Sequence, residues 1–155
     1  MTHSTWVLIT DAARARLFEI SAQDGMAEVA CFSSPARRTV TPDHDFNDRL
    51  PRTQDSRSSH RHAIQPHTTV REKAEQQFAR TVADELESGA ERKQYDHLIL
   101  VAPPRFLGVL REQLPETLSR RVVGEIQHDL VSASTQELNE RLREAFPREF
   151  RHGPS

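Results

Sequence analysis

Apolar positions fall along this chain in three rhythms, and each implies a different kind of element. Residues 98–102 (LILVA) are apolar without alternation, as in a strand covered on both faces of a parallel sheet. Residues 6–10 (WVLIT), 14–20 (RARLFEI) and 26–32 are short strand patterns. A polar-small connection, Asp11-Ala12-Ala13, joins the first two, and an Asp24-Gly25 turn signal joins the next two, so together they predict an antiparallel meander. The third rhythm is helical. Val70, Ala74, Phe78, Val82 and Leu86 recur at every fourth position behind Thr69-x-x-Glu72, which predicts an amphipathic helix with a capping box, ended by Ser88-Gly89. Phe106, Leu107, Leu110 and Leu114 predict a second helix, opened by Pro104, because proline costs nothing at a first helical position. A short helical turn from Pro115 and a fifth strand over 122–127 follow. Ser134-x-x-Glu137 then caps a last helix with Leu138, Leu142, Ala145 and Phe146 inward, and Pro147 stops it.

The order is three antiparallel strands, then helix, strand, helix, strand, helix. It predicts an α/β fold with a mixed, ribonuclease H-like sheet, in which parallel strands extend the meander through right-handed crossovers. A length of 155 residues suits one domain over 1–150, with a frayed tail from Arg148 to the end. Residues 33–67 break the pattern. They hold four prolines and almost nothing apolar, and six arginines against four aspartates give them a formal charge of +2 inside a chain whose net charge is −2. Four of the eight histidines lie there too. A polar run this long inside a small domain reads as a flexible, functional excursion and as the part most suited to meet a partner.

Composition adds exclusions. Mean hydropathy is −0.69, no apolar run has membrane-spanning length, and no signal-peptide pattern opens the chain, so a cytoplasmic protein without membrane insertion is expected. The one cysteine, Cys31, rules out an internal disulfide and reads as a small buried hydrophobe in the third strand. Nineteen of the 21 basic residues are arginine, but the net charge gives no global attraction to nucleic acid.

Three stretches carry a resemblance: WVLITDAARARLFEI, residues 58–86 (SSHRHAIQPHTTVREKAEQQFARTVADEL), and LILVAPPRFLGVLREQLP with RRVVGEIQHDL. In this order they resemble a bacterial family named for a protein required for attachment to host cells. That family is similar to the middle domain of archaeal and eukaryotic peptide-chain release factors, which has a ribonuclease H-like fold. The resemblance implies a role on stalled ribosomes. The release-factor domain acts through a Gly-Gly-Gln loop before its long helix. Here Ser58, Ser59, His60, Arg61 and His62 stand at that place and the chain has no Gly-Gly-Gln, so the loop position carries over and the hydrolytic chemistry does not.

Candidate chemistry follows. Arg57, His60, Arg61 and His62 would bind phosphate, since guanidinium forks fit phosphate oxygens and imidazole adds a donor. Asp43, Asp45, Asp48 and Asp55 interleave, however, and Phe46 alone is available for base stacking, so contacts to the RNA backbone or shape are expected. Arg105 stands where a strand-to-helix turn favours anions. His60-x-His62 with His67, and His44 upstream, is a weak metal pattern without a companion cysteine. Asp11 with Glu72 or Glu75 invites a two-metal nuclease, but Ala102-Pro103-Pro104-Arg105 occupies the place of a third carboxylate, and Asp11 reads as a turn residue. Arg14 and Arg16 read as surface partners of Asp11. Ser132, Ser134, His128 and Asp129 lack a nucleophile elbow and read as strand-end and cap residues. No cofactor motif is present. Three functions stay open: a non-catalytic binding module on ribosomal or transfer RNA, a metal-dependent hydrolase or nuclease, and a protein-interaction factor in attachment.

Overall fold

The computed structural model describes residues 4–21, 25–35 and 60–150, with side chains from residue 70 onward in the last stretch. The strands are β1 (Thr5–Thr10), β2 (Arg14–Ser21), β3 (Gly25–Ser33), β4 (His97–Val101) and β5 (Val122–Ile126). The helices are α1 (His60–Glu91), α2 (Pro104–Gln113), α3 (Glu116–Ser119), α4 (Thr135–Ala145) and α5 (Pro147–Phe150). The five strands form one sheet in the order β3-β2-β1-β4-β5. The meander is antiparallel, whereas β4 pairs parallel to β1 and β5 parallel to β4. This is a mixed α/β sheet whose parallel half was announced by the unbroken run at 98–102.

Alternate residues of the central strands feed two separate cores, which is why β1 and β4 carry no polar face. Trp6, Leu8, Leu98 and Leu100 pack with Phe78, Val82 and Leu86 of α1, with Phe106, Leu107 and Leu110 of α2, and with Leu118 of α3. Val7, Ile9, Ile99 and Val101 face the other way, onto Val131, onto Leu138 and Leu142 of α4, and onto Phe150 of α5. Ser34 begins no excursion: it is buried, and its N–H donates to the Ala13 carbonyl at 2.8 Å.

Several expectations are corrected. Helix α1 begins at His60, so Thr69 and Glu72 are helical positions instead of a cap, and Pro66 falls inside the helix. A Thr-x-x-Glu spacing caps a helix only where the preceding chain is extended, and here it is already helical. The described helix at 60–67 therefore takes the end of the predicted excursion, while 36–59 lie outside the described residues. Val70 is 64% exposed, and burial on α1 begins only near Ala74. Gly89 does not end the helix. An added Cβ there would fall 2.5 Å from the Trp6 ring, so its place is set by close packing, and the chain turns instead at Lys93, in the left-handed region at φ 58°.

Cys31 is exposed, because β3 is an edge strand of the sheet. Ala145 is exposed as well. Pro147 stops α4 but starts α5, and residues 148–150 are not frayed: Phe150 is buried and Glu149 accepts from the Thr5 hydroxyl at 2.6 Å. Ser134 caps α4 as expected, accepting from the Glu137 N–H at 3.1 Å.

Candidate functional site

Strands β1 and β4 lie side by side and parallel, and their chains leave in opposite directions across the sheet. Such a switch point opens a crevice beyond the carboxyl ends of the strands. A cleft of about 290 Å³ occupies that place, lined by Asp11, Ala12 and Ala13 after β1, Glu75 of α1, and Pro103, Arg105 and Phe106 at the start of α2.

Each polar group in the cleft is placed by a different element. Asp11 is held by the tight β1–β2 turn, in which its Oδ1 accepts from the N–H groups of Ala13 (2.8 Å) and Arg14 (2.7 Å). The buried Thr10 hydroxyl donates to the Arg14 carbonyl at 2.8 Å and closes the same turn. Glu75 arrives because Phe78, one turn further along α1, is fixed against Phe106 with ring centroids 6.2 Å apart. Arg105 follows the Pro103-Pro104 step, in which Pro103 is the N-cap without a side-chain cap bond. Its guanidinium pairs with the Glu75 carboxylate at 3.4 Å; the Glu75 side chain is 12% exposed and that of Arg105 61%. So open a pair at that distance contributes at most about 1 kcal/mol.

The structure thus brings together Asp11, Glu75 and Arg105, which are far apart in sequence. Glu72 is exposed on the neighbouring turn of α1 and is not part of the cleft lining. Where a two-metal site would need a third carboxylate, Arg105 engages the second one. Among the described residues no three His, Cys, Asp or Glu side chains converge as metal ligands. His60, Arg61, His62 and His67 lie in the first turns of α1, with side chains outside the described residues, and Arg57 and His44 lie outside altogether. His60 and His62 stand on a helix, where the metal pattern had placed them on a strand.

The guanidinium groups of Arg14 and Arg16 turn to partners other than Asp11. Arg14 donates to the Ser132 hydroxyl at 2.6 Å, and Arg16 donates to the carbonyls of Val131 (3.0 Å) and Ala133 (2.8 Å) while pairing with Glu28. Sequence reasoning missed this tie, since nothing local links β2 to the segment after β5. His128 and Asp129 are exposed on that segment.

From residue 6 to residue 142 the chain matches the family described as "Protein required for attachment to host cells". The chain belongs to that family. The host-attachment match takes in β1 from Trp6 onward, the other four strands, the cleft and most of α4. Over 70 residues the chain is also 36% identical to an uncharacterized protein of Rickettsia prowazekii (strain Madrid E), a stretch covering 44% of this chain and 47% of that protein. The chain therefore spans about half the length of this curated relative. Among the described residues no helix is long and apolar enough to cross a membrane.

Proposed function

We propose that this host-attachment protein is a single-domain, cytoplasmic, non-catalytic binding module that engages RNA of the ribosome or a transfer RNA. Arg57, His60, Arg61 and His62 would make the main contacts, with Arg105 and Asp11 at the nearby strand ends. The observation that carries this reading is the course of α1. Its C-terminal part lies on Trp6 at the start of β1, and Glu75 reaches the carboxyl edge of the sheet. The fourteen residues from His60 to 73 therefore continue past that edge, about 20 Å at 1.5 Å per residue. A helix N-terminus favours phosphate, and here it carries two histidines and an arginine. The sheet order is in keeping with a ribonuclease H-like fold and with kinship to the release-factor middle domain. The use of Asp11 Oδ1 in its own turn and the pairing of Glu75 with Arg105 favour binding over metal-dependent hydrolysis.

The test is co-sedimentation of the purified protein with ribosomes across a salt series, beside a variant with Arg57, His60, Arg61 and His62 replaced by Ala. Salt-sensitive binding that the variant loses supports the proposal, because phosphate contacts weaken steeply with salt. Binding indifferent to salt points to a protein partner, and no binding at low salt by folded protein overturns the RNA reading.

A further inference from the structure

Arg14 carries a charge that the fold leaves without a counter-charge, and we infer that it centres a binding site for a phosphate group, free or in a nucleic-acid backbone. It opens β2 beside the end of β1, at the carboxyl edge of the sheet. Ala15 and Phe32 pack on the side of α1. Side chains alternate along a strand, so Arg14 and its cross-strand partner Ser33 point to the opposite face, away from the cleft. The segment after β5 lies on that face, and its Ser132 hydroxyl accepts from Arg14 Nη2 at 2.6 Å.

Among the described residues this is the one side-chain hydrogen bond of Arg14, and no carboxylate pairs with its guanidinium. Its Nε is buried without an acceptor, the one side-chain atom so placed among the described residues. Arg16, next along the same face, shows the contrast: Glu28 and the carbonyls of Val131 and Ala133 take its donors. A buried donor left unmet on a charged group costs free energy, which an anion within reach of the guanidinium recovers. Nε is covered while Nη2 holds Ser132, so the fork swings outward to present Nε and Nη2 together to two oxygens of the anion. Ser33 and Ser132 are both exposed, and neither hydroxyl donates to an acceptor among the described residues. A fork and two hydroxyls aimed from different elements reach different oxygens, which suits a tetrahedral phosphate better than a planar carboxylate.

The experiment titrates inorganic phosphate, acetate at matched ionic strength, and a short single-stranded RNA into the isotopically labelled full chain. It follows the Arg14 Nε–H resonance, assigned by its loss in Arg14→Lys, with the backbone amides of Ser33 and Ser132. Expected is a saturable shift of all three with phosphate and little with acetate. Arg14→Lys, which keeps the charge and loses the fork, weakens phosphate binding by about tenfold. Ser33→Ala combined with Ser132→Ala removes only exposed hydroxyls and weakens it several-fold, a reading that stands even where the lysine variant fails to fold. Saturation by RNA at a lower concentration than by inorganic phosphate assigns the site to a nucleic-acid backbone, and the reverse order assigns it to a free phosphate. Acetate binding as tightly as phosphate overturns the choice of ligand. Silence of the Nε–H towards every anion overturns the site itself, whatever the ribosome experiment gives, because the variant used there leaves Arg14 in place.

Discussion

Gly89 and the Trp6 ring are in direct contact, so close that a Cβ on Gly89 would lie 2.5 Å from two ring carbons. Trp6 in turn stacks on Tyr95 with ring centroids 4.5 Å apart. This stack locks the C-terminal end of α1 to the start of β1 and so fixes how far the other end of α1 reaches. Gly89→Ala should therefore destabilise the protein by about 1–2 kcal/mol, because overpacking outweighs the helix-propensity gain of roughly 1 kcal/mol. Urea unfolding measures it, and a raised midpoint would show that the ring simply moves aside.

Gly124 of β5 stands in the same relation to Phe146, whose ring atoms lie 2.0 and 2.5 Å from where a Cβ would be. Gly124→Ala should displace Phe146 and loosen the end of α4. In the Phe146→Ala background the same substitution should cost much less, since the clash is gone. A double-mutant cycle showing simple additivity would refute the coupling.

Tyr95 donates to the Leu86 carbonyl at 2.5 Å, and burial pushes its phenol from 10.0 up to about 12, the Arg121 guanidinium working against this and Glu87 adding to it. A raised phenol is one whose neutral form the fold prefers. Its contribution is therefore complete below pH 10 and is lost as pH rises towards 12, where the unfolded chain has released the proton and the folded one has not. Thermal melts of wild type should fall over that window, and Tyr95→Phe should flatten the fall while losing about 1 kcal/mol at neutral pH.

Arg16 holds the segment after β5 through two carbonyls. Arg16→Ala should cost about 1.5–3 kcal/mol, the range for hydrogen bonds made by a charged group. Hydrogen exchange should speed up around Val131 and Ala133 ahead of the sheet. Uniform loosening instead would mean that Arg16 supports β2 alone.

Asp11 separates scaffold from function. Asp11→Asn keeps the turn acceptor and should leave stability within about 0.5 kcal/mol, whereas Asp11→Ala orphans two N–H groups at a cost of roughly 1–2 kcal/mol. Equal losses in chemical denaturation would contradict the turn geometry.

The sequence by itself determined the elements. Unbroken apolar runs, a proline pair before α2 and a Ser-x-x-Glu cap are local signals, and local signals settle where strands and short helices lie. The start of α1, the role of Gly89 and the packing of residues 148–150 were not legible. Each depends on a partner distant in the chain: a residue that ends a helix in isolation is one that admits Trp6 in the fold, and Phe150 is buried only because Val7 and Ile20 leave a second apolar face uncovered. The cleft is the same kind of fact. Asp11, Glu75 and Arg105 were each visible as residue types suited to a site, but only the parallel pairing of β1 with β4, and the seating of α1 on Phe106, set an arginine where a third carboxylate would otherwise complete a metal centre. Hydrophobic burial on both sides of one sheet made that choice, because it fixes strand order and helix placement with no regard for the polar groups carried to the edge.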